Sequence, residues 1–191
     1  NFGAVPLIYR AGRYGLGPHT AGLLGEGGIA IDSSVRARFD YTDEGGPDYS
    51  RHPVAPYWAD AGKTLLELPL TTSFWGMLRQ QGQQLYPLAH RYPLLGSILA
   101  KTGMLERIGL TPEDITLEEA LRAVDIAVDD GLPLLVLSFH SPSLAPGHTP
   151  YVHNEDDLDR LYDWLRGVYS YLRARDVRPT TVEEIIASAV R

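Results

Sequence analysis

Residues able to do acid–base chemistry stand at the ends of the apolar runs of this sequence. The run 134–139 ends on His140, and a Ser/Pro/Gly loop carrying His148 follows it. Earlier runs end on Arg10, on Asp32-Ser33-Ser34, and around Glu67, a carboxylate inside Leu65-Leu66-Glu67-Leu68-Pro69-Leu70. An imidazole titrates near neutrality and can carry a proton to a leaving group. Carboxylates can take or hold one, and an arginine can orient an anion. Each residue alone also has a plain structural use. A histidine closing a strand can bond a loop carbonyl, Arg10 can be a surface charge, Asp32 can cap a turn, and Glu67 can pair with an arginine. Four polar endings on four runs are worth more together, because a parallel sheet brings its carboxyl ends to one edge, where such folds bind ligands.

The elements that would position them follow from periodicity. Pro6-Leu7-Ile8-Tyr9-Arg10 reads as the first strand, and Ile29-Ala30-Ile31 as the second after a short helix running from Pro18 to about Leu24. The stretch 35–62 reads as a long irregular loop closing on Pro56-Tyr57-Trp58. Residues 65–70 give the third strand, two amphipathic stretches follow at 73–86 and 93–108, and Thr116-Leu117-Glu118-Glu119 opens a helix to about Asp130 as a capping box. The run 134–139 reads as a fourth strand, buried on both faces. Asn154 caps a long helix over about 155–173, and Thr180/Thr181 with Glu183/Glu184 opens a last short one. The order predicts an α/β fold with mostly parallel strands and flanking helices, in one domain over 1–191.

At 191 residues, 44% hydrophobic and 21% charged, the chain has the composition of a globular protein with a sizeable core. Its formal net charge of −7 and scattered basic residues argue against nucleic acid. No apolar run approaches the roughly 20 residues of a membrane span, so no membrane partner is expected. With no cysteine there is no disulfide, thiol nucleophile or thiolate metal site, and the compartment stays open. The opening Asn1-Phe2-Gly3-Ala4-Val5 has neither initiator Met nor signal character, which suggests a piece of a longer polypeptide. A four-stranded fragment leaves a sheet edge unpaired, which predicts either a homodimer or such a piece.

Several motifs compete. Gly15-Leu16-Gly17 between a strand and a helix, with Asp32 beyond, imitates a dinucleotide fingerprint, though Thr20 holds the third glycine position. Gly62-Lys63-Thr64 lacks the first glycine of a phosphate loop, where Tyr57 stands. Ser138 and Ser141 lack a nucleophile elbow. His140, His148 and His153 with Asp156 and Asp157 match no zinc-ligand spacing and read better as loop residues. The acidic loop around 40–48 lacks the alternation of a calcium hand.

Four stretches carry a family resemblance: Tyr9-Arg10-Ala11-Gly12-Arg13-Tyr14-Gly15, Ile31-Asp32-Ser33-Ser34-Val35, Leu66-Glu67-Leu68-Pro69, and Ser138-Phe139-His140-Ser141-Pro142-Ser143-Leu144. With Gly147-His148-Thr149-Pro150-Tyr151-Val152, the sequence resembles the polysaccharide deacetylase family (the NodB-homology domain of carbohydrate esterase family four), and most of all its WalW-like branch. The resemblance runs from about residue 5 to 182. It implies the C-terminal part of a distorted (β/α) barrel, a divalent metal, zinc by family habit, and hydrolysis of an N- or O-acetyl group on a carbohydrate. By position it makes His140 the general acid and Arg10 the residue orienting a catalytic aspartate, and it puts Asp32 in the fourth motif. Tyr14, Trp58, Glu67 and Tyr151 are taken as substrate-binding, with Tyr57 and Trp75 as further aromatics for a sugar groove. The third motif has one residue more than usual between Arg10 and Tyr14. The family's first two motifs, which hold the base and the metal ligands, do not occur in this chain. No metal ligand is therefore assigned within it, the ligands being expected upstream of residue 1, and the chain alone is expected to be inactive. The alternatives are an inactive carbohydrate-binding or scaffold module and a nucleotide-binding α/β domain using Gly15 and Gly17.

Overall fold

Three of the four apolar runs that stop on polar residues become strands of this protein, and three of its helices open on a capping side chain. The computed structural model describes residue 3 and residues 6–189. The other residues of the opening, where the resemblance was expected to begin, lie outside the described residues. The chain divides into two compact units, one of Asn1–Leu70 with Pro179–Arg191 and one of Thr71–Arg178.

The first unit holds β1 (Ile8–Tyr9), α1 (Thr20–Glu26), β2 (Ile31–Asp32), β3 (Tyr57–Trp58), β4 (Leu66–Glu67) and α6 (Val182–Ser188). Its sheet runs β1-β2-β4-β3, with β1, β2 and β4 parallel and β3 antiparallel along β4. Asp32 stands in register with Glu67, and Tyr9 with Asp32. Side chains at paired positions share a face of the sheet. Ile31, Leu65 and Leu66 bury its apolar positions. The stretch between β2 and β3 is irregular, with one 3₁₀ turn at Thr42–Glu44, and it packs Val35, Ala37 and Tyr49 into a small core. Thr181 closes a capping box on α6 through Glu184.

The second unit holds β5 (Thr72–Trp75), α2 (Gly82–Arg91), α3 (Pro93–Lys101), β6 (Glu106–Gly109), α4 (Leu117–Asp129) and α5 (Glu155–Ala174). β5 and β6 pair antiparallel, and α4 packs with α5 around Leu110, Ala120, Val124, Trp164 and Val168. Thr116 and Glu119 form the expected capping box, and Asn154 caps α5 by accepting from the Asp157 amide.

Mixed α/β architecture with a parallel-strand sheet and flanking helices is thus observed, and three readings of elements are corrected. The stretch 73–86 begins as strand β5, because Thr72, Ser73 and Phe74 are buried and Gly76 (φ +110°) turns the chain before α2 can start. The stretch 93–108 is a helix only to Lys101; Gly103 (φ +66°) breaks it and Glu106–Gly109 pairs with β5. Residues 134–139 form no ladder. The Val136 amide donates to Thr71 Oγ1 at 2.7 Å, its carbonyl accepts from the Thr71 amide at 3.1 Å, and the Ser138 amide donates to the Leu110 carbonyl at 3.2 Å, so the segment is tied at two points and is half-buried, not enclosed on both faces.

Candidate functional site

Each unit carries one organised cluster of polar side chains. In the first, Asp32 and Glu67 end adjacent parallel strands in register, and both are buried, 3% and 1% exposed. The Ser34 hydroxyl donates to Asp32, and in turn accepts from the Ala11 amide at 2.8 Å. The Val35 amide donates to Glu67 Oε1 at 3.0 Å. Burial, and then the neighbouring charge of Asp32, pushes the Glu67 carboxyl up to about 8. Burial also raises Asp32, although the Ser34 hydroxyl and amide and the side chain of Glu67 draw it down. At neutral pH Glu67 therefore holds a proton and donates it to Asp32, since two ionised carboxylates side by side in a desolvated place repel.

Arg10 follows β1 directly. Its guanidinium donates from Nε to the Ser33 carbonyl at 3.0 Å and from Nη2 to Ser33 Oγ at 3.1 Å, which fixes it beside the pair. Ser33 Oγ itself donates to the Leu68 carbonyl at 2.9 Å. An aromatic array belongs to the same unit. Tyr14 stacks on Tyr41 with centroids 5.8 Å apart, and Tyr49 packs its edge on His52 at 5.2 Å. The Tyr49 hydroxyl donates to the Tyr14 carbonyl at 2.6 Å and is pushed up to about 12, first by burial and then by the Glu67 and Asp32 charges. Tyr57 is raised for the same reasons, and its hydroxyl meets His52 Nδ1 at 2.8 Å. Arg13 and Tyr14 hold the left-handed region (φ +52° and +58°), a conformation non-glycine residues adopt only where their surroundings hold them. The structure thus brings Arg10, Asp32 and Glu67 together, with Tyr14 near them through Tyr49. Trp58 lies elsewhere in the unit. It lines a cleft of about 470 Å³ with Ala30, Lys63, Thr64, Leu66 and Ile186, residues that precede or open the strands and belong to α6.

The second unit presents His140. Its Nδ1 meets Glu113 Oε2 at 2.7 Å, and its backbone amide donates to Glu113 Oε1 at 2.9 Å. Ser143 Oγ donates to the same oxygen at 2.8 Å and lies 3.1 Å from Thr149 Oγ1. Glu113 is buried, 8% exposed, whereas the imidazole is 56% exposed. A carboxylate on Nδ1 selects the tautomer with its proton there and leaves Nε2 for chemistry. Tyr151 stacks on the imidazole, centroids 6.2 Å apart and planes 14° off parallel.

Glu113 was not singled out in the sequence. It follows Leu110-Thr111-Pro112 at the end of β6, so the rule that found Arg10, Asp32 and Glu67 would have found it. The signal was hidden because 93–108 reads as one helix. Tyr49 and Ser143 give no signal of their own, being a loop tyrosine and a loop serine.

The resemblance expects the metal's ligands upstream of residue 1. Among the described residues no three His, Asp or Glu side chains gather into a metal-holding group. His140 commits Nδ1 to Glu113, while Asp32 and Glu67 hold a proton between them. In the nucleotide reading Asp32 would take ribose hydroxyls, yet it is buried and turned to Ser34 and Glu67. No protein-family model matches the chain, and no curated protein or solved structure matches it either.

Proposed function

We propose that this chain is part of a carbohydrate deacetylase, hydrolysing N- or O-linked acetyl groups on a polysaccharide or oligosaccharide, and that it supplies the proton-transfer group. The observation that carries the reading is His140, whose imidazole is 56% exposed and held at Nδ1 by the buried Glu113. As water attacks the acetyl carbon, the bond from that carbon to the sugar nitrogen or oxygen breaks, and the leaving atom takes the Nε2 proton. Glu113 offsets the positive charge the imidazole carries beforehand and keeps the ring aimed. Tyr151 gives the adjoining flat apolar surface on which a pyranose ring can rest. The α/β architecture belongs, on this reading, to the C-terminal part of a distorted (β/α) barrel. The divalent metal of such an enzyme would be bound by residues outside this sequence, and no step here is routed through it.

The test is acetate release from N-acetylated and O-acetylated oligosaccharides by the natural polypeptide that carries this chain, with zinc supplied. His140→Asn should lower kcat by about 10²–10⁴-fold. Glu113→Gln should lower it less and shift the pH profile of kcat. Oligosaccharide binding without acetate release, or a His140→Asn variant turning over like the parent, would refute the reading.

A further inference from the structure

We propose that the α2–α3 hairpin docks on an anionic lipid surface. The hairpin exposes large apolar side chains: Leu88 52%, Tyr92 57%, Leu94 78%, Leu95 42% and Ile98 49%. Met77, before it, is 86% exposed. Leu94 and Ile98 lie one turn apart and share a face of α3. These side chains have no route inward. A Cβ on Gly96 would sit 2.8 Å from the Ala89 carbonyl, so the two helices already touch there and Ala89 is buried between them. The opposite faces are left to solvent, and an exposed cluster of this kind marks an interaction surface.

Charge identifies the occupant. The protein carries a formal net charge of −7, with 24 acidic residues. From Gly76 to Leu105 it has none, while Arg79, Arg91 and Lys101 fall in that stretch. Arg79 is paired with Asp130 at 3.1 Å, but Arg91 and Lys101 are exposed at the ends of the two helices. A two-fold pairing of this face with itself would set basic residues against basic residues with no acid to offset them. An anionic bilayer offers both the apolar layer and the negative charge. Short helices with leucine and isoleucine outward, tyrosine at the junction and basic residues at the rim are suited to lie in its interface. No described helix is long and apolar enough to cross a membrane. The expectation of no membrane partner rested on the lack of a spanning run, which does not bear on surface attachment.

Co-sedimentation of the protein with vesicles tests this. The protein should pellet with vesicles of phosphatidylcholine and phosphatidylglycerol, weaken as salt rises, and stay in solution with phosphatidylcholine alone. Arg91→Gln and Lys101→Gln should each weaken partitioning by about fivefold. Leu94→Ser with Ile98→Ser should abolish it while leaving the melting temperature unchanged, and Met77→Gln with Leu88→Gln gives an independent pair should the first misfold. Failure to pellet with the anionic vesicles overturns the proposal. So does pelleting insensitive to these substitutions, or a dimer in solution that Leu94→Ser with Ile98→Ser dissociates in a protein that binds no vesicles.

Discussion

Replacing Glu67 by Gln should remove much of the pH dependence of this protein's stability. The folded chain holds the Glu67 proton up to about 8, against an ordinary value of 4.5. The folded state therefore binds more protons than the unfolded state between those values. Stability is fully present below about 4.5, falls as pH rises toward about 8, and is level above it. At about 1.4 kcal/mol per pH unit, the whole interval amounts to a ceiling of about 5 kcal/mol. The raised Asp32 adds in the same direction. Glutamine keeps the shape of the protonated acid. Its oxygen can still accept from the Val35 amide and its amide nitrogen can still donate to Asp32, so the native contacts survive and the ionisation does not. Urea unfolding across the pH range should give a steeper fall for the parent than for the variant between about 4.5 and 8, with the two separated by several kcal/mol at the alkaline end. Because the chain has two compact units, exchange of the Val35 amide should be followed alongside as a reporter of this strand pair. Parallel curves for parent and variant would show that Glu67 is ionised in the folded protein and would refute the shared-proton account.

Two other substitutions probe the same framework. Ser34→Ala takes away the hydroxyl that donates to Asp32 and accepts from the Ala11 amide, leaving both buried groups short of a partner; it should cost about 1–3 kcal/mol by urea titration. Gly76→Ala should cost at least about 2 kcal/mol, since φ is +110° and the added methyl would strike the carbonyl oxygens of Gly103 and Met104, and it should lower the melting temperature by several degrees.

What the sequence made legible is what local chemistry decides. Thr116 with Glu119, Asn154, and Thr181 with Glu184 are side chains that bond the amides three residues on, so the starts of α4, α5 and α6 can be read without any tertiary knowledge. The endings on Arg10, Asp32 and Glu67 were legible too, because an apolar run that stops on a charge stops for a reason. The misread stretches are those where tertiary pairing wins. Thr72–Trp75 and Glu106–Gly109 are strands only because each is the other's partner across more than thirty residues, and the leucines and methionine around them imitate a helical stripe. Residues 134–139 show the converse, with strand composition but no partner offering a continuous ladder.

Carboxylates serve opposite ends in the two clusters, and their surroundings decide which. Glu113 is buried but accepts from the His140 amide, the Ser143 hydroxyl and the imidazole Nδ1, so donors surround it and it fixes the ring in place. Glu67 is more deeply buried, accepts from the Val35 amide, and stands in register with a second carboxyl, that of Asp32. Arg10 turns its hydrogen bonds to Ser33, and a proton offsets the charge between the two acids. A carboxylate set among donors orients an exposed imidazole for proton transfer, whereas a carboxyl set against a second carboxyl stores its proton where solvent does not reach. The first is suited to chemistry on a substrate. The second is suited to holding the ends of two parallel strands in register, and ionising it should loosen that register before anything else in the unit.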